Sequence, residues 1–358
     1  MSTMTAAVFD GKDTLNITNV ERPIAGPGEA VIQPKGVGIC GSDLLNFGTK
    51  ATPEGAEFSG RERFRHVLPV GHEVAGQIVE VGEGVDSSML GQRVAVDTVA
   101  SGVACMRCWF CRIGQSNHCE DRKEDSGGGF ADYMVRLAAG CYPIPDNLSW
   151  EEGSLVEPLA VSVHGLRLGG LKGDETVVVL GTGSIGLTAV AAARALGAGK
   201  IFATARHKHQ SDLAKALGAD DVFPPDSGLL REAVLEVSGG RGADMTLETV
   251  GGNSVGTIQQ AFDVTRNMGR IVGLGCFFTP ISVDWLAGMI KEHTIVLSNC
   301  YSIIDGRHDY EVAIDLMAAG RVQIKDMVTH KFPLLDIQKG LETAYDKTTG
   351  SIKVQIHT

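Results

Sequence analysis

Apolar residues along the chain fall into two textures. Up to about residue 150 they come in short runs broken by glycine. Val31–Pro34, Glu73–Val81 and Gln92–Val99 read as strands, bounded by turns such as Gly82-Glu83-Gly84. This part reads as mainly β. Near Leu155 the pattern changes. Residues 156–170 read as a helix, followed by Thr176–Leu180, an unbroken apolar strand, TVVVL. Leu187–Leu196 is an alanine-rich helix, Ile201–Ala205 a second strand, Asp212–Leu217 a helix and Asp221–Phe223 a short strand. Asp244–Thr249, Arg270–Leu274 and Thr294–Ser298 supply three more strands. Strands alternating with helices imply βαβ units and a parallel sheet. After about residue 298 the texture shifts again, to a helix over Tyr310–Ala319 and a closing strand over Ile352–Ile356. The expected organisation is one domain over residues 1–155, a second over 156–297, and a return to the first over 298–358, with no internal repeat.

Composition narrows the function classes. Apolar residues make up 43% and charged residues 21%, the balance of a soluble globular protein. The 46 glycines sit singly between apolar runs and read as turns. The net charge of −11, with no long basic block, argues against nucleic acid as a partner. No segment approaches the roughly 18–20 apolar residues of a membrane span, and the start MSTMTAAVFDGKD carries no secretory pattern. A cytoplasmic protein is expected, so clustered cysteines read as metal ligands in preference to disulfides.

Three constellations carry chemistry. Gly181-Thr182-Gly183-Ser184-Ile185-Gly186 is G-x-G-x-x-G, placed between an apolar strand and a helix. In that context Gly181 makes a tight turn, Gly183 admits a pyrophosphate, and Gly186 lets helix and strand pack closely. The helix N-terminus then faces the phosphates. An NAD enzyme is expected to carry a carboxylate about twenty residues on. Here the second strand ends at Ala205, and Arg206-His207-Lys208 follows. Arg206 would pair with a 2′-phosphate, which reads as NADP(H); a solvated basic turn is the rival reading.

The second constellation is Cys105-x2-Cys108-x2-Cys111-x7-Cys119, in a lobe over residues 101–120. Four sulfur ligands with no open position describe a structural zinc site, and a four-cysteine iron–sulfur cluster is the rival. The third is dispersed: Cys40, Ser42 and Asp43 in GICGSD, His72 and Glu73 in GHE, and Glu157 in LVEPLA. A catalytic zinc takes three ligands of these types and leaves one position open. From spacing alone the case is modest, because a lone Cys or His is more often a packed side chain.

Taken together, GICGSD at 38–43, GHE at 71–73, the four-cysteine lobe, VEPLAVSVHG at 156–165 and VVVLGTGSIGL at 177–187 resemble the zinc-containing medium-chain dehydrogenases. The likeness covers nearly the whole chain and looks closest to the polyol branch of sorbitol and butanediol dehydrogenases. It implies a GroES-like, mainly β catalytic domain with a structural zinc lobe, joined to a Rossmann domain. It implies Cys40 and His72 as catalytic zinc ligands, with Glu73 or Glu157 as the third. Ser42 would pass the substrate proton, and Asp43 would orient a ligand. Many relatives carry a histidine three residues after the serine; here Leu45 stands there, with Asn46 next, which leaves the outer end of the proton relay open. The resemblance also implies a homo-oligomer, a tetramer or alternatively a dimer.

The expected reaction is reversible oxidation of a secondary alcohol or polyol to a carbonyl with NADP(H). A zinc-dependent sugar or amino-alcohol dehydrogenase of the glucose or threonine type is the alternative. A nucleotide-binding scaffold without catalysis is the alternative of another class. Trp109, Phe47, Trp285 and Tyr301 are candidates for an apolar pocket, against a reading of each as core or surface packing.

Overall fold

The computed structural model describes residues 2–9, 15–45, 70–123, 127–225, 227–252, 255–277 and 279–358. Asn46 and Phe47 lie outside the described residues, as does the side chain of Leu45. The chain divides into two compact units. The first comprises Met1–Glu157, Cys300–Ala318 and Met327–Thr358; the second comprises Pro158–Asn299 and Ala319–Asp326.

In chain order the first unit begins with β1 (Thr3–Phe9), β2 (Leu15–Glu21), β3 (Glu29–Gly38), β4 (Glu73–Val81), β5 (Arg93–Asp97), β6 (Met134–Leu137) and β7 (Cys141–Pro143). The second unit holds β8 (Thr176–Leu180), β9 (Lys200–Thr204), β10 (Asp221–Phe223), β11 (Ala243–Glu248), β12 (Thr265–Gly273) and β13 (Thr294–Leu297). The chain then supplies β14 (Ile303–Ile304), β15 (Arg307–His308), β16 (Val328–Pro333) and β17 (Lys353–His357) to the first unit.

The first unit is mainly β, as its short apolar runs predict. Its large sheet runs β16-β17-β3-β4-β5-β7, with β6 paired to β3. Strand β3 is central: it pairs β6 through Glu29–Ile32, β17 through Val37–Gly38, and β4 along most of its length. Ile32, Val37, Val74, Ile78, Val94, Val96, Val354 and Ile356 fill the core over this sheet. Central strands are wanted here because the residues flanking them, Cys40 after β3 and His72 before β4, are attached to strands held by two neighbours each.

The second unit is a six-stranded parallel sheet in the order β10-β9-β8-β11-β12-β13. That is the doubly wound order 3-2-1-4-5-6, which reverses direction between its first and fourth strands, β8 and β11. Val177, Val178, Val179 and Leu180 are fully buried, so the TVVVL run is apolar because both faces of the strand are covered. The helix after β8 spans Ser184–Ala195, starting three residues before the expected Leu187. The start moves because Ser184, Ile185 and Gly186 of the glycine motif are already helical, with Gly183 as N-cap. Among the described residues no helix is long and apolar enough to cross a membrane.

Candidate metal centre and cofactor turn

Strand β3 leads directly to Cys40. Ile39 N–H donates to Val354 O at 2.9 Å, which pins the strand end to β17. A tight turn follows: Cys40 N–H donates to Asp43 Oδ2 at 2.9 Å, and Asp43 N–H returns to Cys40 O at 3.1 Å. Ser42 is half-buried within the short helix Gly41–Leu45. His72 precedes β4, and its Nδ1 lies 3.9 Å from Asp43 Oδ1. Glu73 opens β4, opposite Gly38 on one side and Asp97 on the other.

Cys40, His72 and Glu73 offer a sulfur, a nitrogen and an oxygen that all lie within 4.8 Å of one another. Glu157, at the first turn of the helix Val156–Leu168, is not part of that mutual group. Its carboxyl is nevertheless pushed up to about 7 by burial, against the opposing pull of His72. Asp43 is also raised by burial, partly offset by His72. Burial alone would pull His72 down, but the Cys40 thiolate and the carboxylates of Asp43 and Glu157 hold it well above its ordinary value. A partly buried group that mixes sulfur, imidazole and carboxylate donors suits a divalent zinc ion.

Lys353 was not signalled by any motif. It is 2% exposed at the start of β17, and its Nζ donates to Glu73 Oε1 at 2.6 Å, to Oε2 at 2.7 Å and to Ile39 O at 3.2 Å. Burial would lower its pKa, yet Glu73 and Cys40 more than offset this and keep the ammonium charged. Gly38 supplies the room, since a Cβ there would stand 1.9 Å from Glu73 Oε2. The sequence-level hint was a lysine inside the buried apolar run of the closing strand.

The four-cysteine lobe is local. The four ligand atoms of Cys105, Cys108, Cys111 and Cys119 lie within 4.8 Å of one another. The sulfurs of Cys105 and Cys111 are 4.0 Å apart and those of Cys108 and Cys111 3.5 Å, close to the roughly 3.8 Å edge of a tetrahedron with 2.3 Å zinc–sulfur bonds. The backbone N–H groups of Cys111 and Glu120 lower the Cys108 thiol to about 6, which favours the thiolate. Cys111 is pushed up to about 12, by burial first and by hydrogen bonds from neighbouring thiols. A bound cation would reverse that penalty.

In the second unit the glycine motif opens a cradle. Gly181 has φ +94°, a left-handed conformation, and a Cβ on Gly186 would come within 2.0 Å of Gly181 O. Gly183 has open space where a Cβ would point, above the start of the helix. Gly181 N–H donates to Thr204 Oγ1 at 2.9 Å, and Thr182 Oγ1 to Thr204 O at 3.1 Å, so β9 braces the turn. Ala205 is half-buried just after β9, and Arg206 is exposed beside it with His207 and Lys208. No carboxylate occupies this stretch. The cradle fits a dinucleotide pyrophosphate.

Of the pocket candidates, Trp109 and Trp285 are exposed, and Tyr301 is fully buried with its hydroxyl 3.4 Å from that of Tyr310. Trp285 borders a small open depression with Met289 and His293.

Residues 26–146 match the family described as alcohol dehydrogenase GroES-like domain, and residues 184–319 match the zinc-binding dehydrogenase family. The chain is 32% identical to L-idonate 5-dehydrogenase of Vitis vinifera, over 98% of this chain and 94% of that protein. It is 31% identical to sorbitol dehydrogenase of Bacillus subtilis, over 99% and 97% respectively. Among solved structures, a zinc-binding dehydrogenase from Sinorhizobium meliloti bound to NADP aligns with a TM-score of 0.84 and 26% identity over the whole of both chains.

Proposed function

Because the chain belongs to the zinc-containing medium-chain dehydrogenases, in their polyol dehydrogenase branch, we propose that it oxidises a secondary alcohol or polyol with NADP⁺, and reduces the matching ketone with NADPH. That it is an oxidoreductase acting on CH–OH groups, with zinc and a nicotinamide cofactor, follows from the family. The substrate class and the preference for NADP(H) are our reading.

When bound, zinc supplies Lewis acidity toward the substrate oxygen and the nicotinamide supplies the hydride chemistry. The chain's own part is positional. Cys40 and His72 hold the metal, with Glu73 or Glu157 as third ligand. Asp43 fixes the Cys40 turn through its backbone N–H and faces the His72 ring, which orients both. Ser42, half-buried beside Cys40, accepts the proton of the substrate hydroxyl. With Leu45 in place of a titratable side chain, the proton must leave Ser42 by another group or by water. Gly181 to Gly186 receive the pyrophosphate, and Arg206 pairs with the 2′-phosphate. The Arg206-His207-Lys208 run without a carboxylate is the observation that carries the cofactor preference.

The reading also includes a homo-oligomer in the cytoplasm. Support for assembly comes from large exposed apolar side chains: Leu297, 82% exposed on the edge strand β13, and Trp285, Leu286, Met289 and Ile290 on the helix before it.

The test is a screen of secondary alcohols, polyols and small ketones, following reduced-nicotinamide absorbance with each cofactor. NADP(H) is expected to give the higher kcat/KM. Arg206→Ala should reduce kcat/KM for NADP(H) by roughly ten- to a hundredfold, and far less for NAD(H). Cys40→Ser should abolish turnover while NADPH still binds. Equal kinetics with both cofactors overturns the preference, and full activity in Cys40→Ser overturns the metal assignment.

A further inference from the structure

Glu248 ends β11, the strand beside β8 at the point where the sheet order reverses. It is fully buried. Its Oε1 accepts three hydrogen bonds: from Val250 N–H at 3.0 Å, Gly251 N–H at 3.0 Å and Thr257 Oγ1 at 2.7 Å. Its Oε2 is buried and has no hydrogen-bond partner among the described residues. Among the described residues no lysine or arginine forms an ion pair with it. A carboxylate buried without a cation is costly, and chains tolerate that cost mainly where it secures a particular local geometry.

The geometry it secures is the loop Thr249–Gly252. This loop packs on the glycine turn from the side opposite β9. Thr249 Oγ1 donates to Leu180 O at 2.8 Å, and Thr249 N–H donates to the same carbonyl at 3.1 Å. A Cβ on Gly181 would meet Val250 Cγ2 at 2.4 Å, so Val250 sits against the turn itself. On its far side, Gly252 N–H donates to Cys276 O at 2.7 Å, which ties the loop to the segment after β12. The successive N–H groups of Val250 and Gly251 form a concavity suited to an anion. Glu248 fills it from within the chain, leaving the glycine turn as the open anion cradle of the crevice.

We infer that Glu248 is a positioning residue for the dinucleotide. Together with Thr257 it holds the loop Thr249–Gly252 in place as the wall of the crevice facing the glycine turn. The inference rests on the reading of that turn as the cofactor site.

Binding of NADPH and of NADH to the purified, zinc-loaded protein, followed by nicotinamide fluorescence, tests it. Glu248→Gln keeps an acceptor for the loop but removes the charge and buries an amide NH2. It should raise the Kd of the preferred cofactor about tenfold, the scale of a lost charge-assisted hydrogen bond. Thr257→Val removes one donor from a different element and should raise Kd about fivefold, with Thr257→Ser restoring it. Zinc content and the melting midpoint of the cofactor-free protein should stay near wild type, while the upward shift given by saturating NADPH shrinks. Hydrogen exchange at Val250 and Gly251 should quicken in both weakened variants. Wild-type affinity in Glu248→Gln and Thr257→Val overturns the inference and leaves the proposed function standing. Weakened binding that appears only alongside a collapsed cofactor-free melt overturns it as well. A wild type that binds neither NADPH nor NADH overturns both.

Discussion

At the scale of the residue, the side chains that matter most divide into those with a motif and those without. Cys40, His72, Glu73 and the four lobe cysteines stand in short recognisable strings, because metal coordination demands fixed residue types at nearly fixed spacing. Lys353 and Glu248 stand alone, and their meaning comes from what the fold brings to them. A single lysine in a strand reads as a solvated edge, and a single glutamate at a strand end reads as a turn. Only burial distinguishes them: Lys353 is 2% exposed and Glu248 fully buried. For Lys353 the consequence is measurable. Lys353→Met leaves the Glu73 carboxylate buried without its cation, which costs roughly 3–5 kcal/mol. The variant should melt several degrees below wild type in zinc-free protein, and Lys353→Met with Glu73→Gln should recover part of the loss. A single variant that melts with the wild type would show that the pair contributes nothing to the fold.

At the scale of the element, the long apolar strands and the glycine turn were legible because their periodicity is strong. Thr176–Leu180 and Glu73–Val81 have the bounds that their patterns predict. The N-terminal strands were less legible. Strands β1 and β2 form a two-stranded sheet, and β2 is mostly exposed, so it carries little apolar signal. The helix Trp150–Ser154 was also missed, although it has a capping box: Ser149 accepts from Glu152 N–H, and Glu152 accepts from Ser149 N–H. Its Glu151 forms an ion pair with Lys331 of β16. The Lys331 hydrogen bond, ahead of an opposing burial effect, lowers the Glu151 carboxyl to about 2 from the usual 4.5. A depressed carboxyl stabilises the fold above its unfolded value and loses that contribution as pH falls from about 4.5 toward 2. Both side chains are partly solvated, so the effect is modest. Glu151→Gln should therefore lower the melting midpoint modestly at neutral pH and converge with wild type near pH 2, which flattens the acid limb in that window. An unchanged acid limb would show that the pair does not form in solution.

At the scale of the whole molecule, the two candidate metal sites differ in what would hold them. The lobe brings four sulfurs together within fifteen residues of chain, while the candidate ligands Cys40, His72 and Glu73 come from two separate turns; a catalytic zinc held there would keep a position for substrate. Mild chelation should remove activity first and leave about one zinc per chain, with re-addition of zinc restoring turnover. Loss of both metals in step with unfolding would contradict this. The same contrast has a consequence in time. Cys105 and Cys119 are separated by 14 residues, whereas Glu73 and Lys353 are separated by 280. At about 5–20 residues per second of synthesis, the second separation corresponds to roughly a quarter of a minute to a minute. A nascent chain can thus close its lobe early, while Cys40, His72 and Glu73 wait on the ribosome without the lysine that balances their charge. During that interval the cell has to keep an exposed, unpaired thiol and carboxylate from oxidation and from the wrong ion.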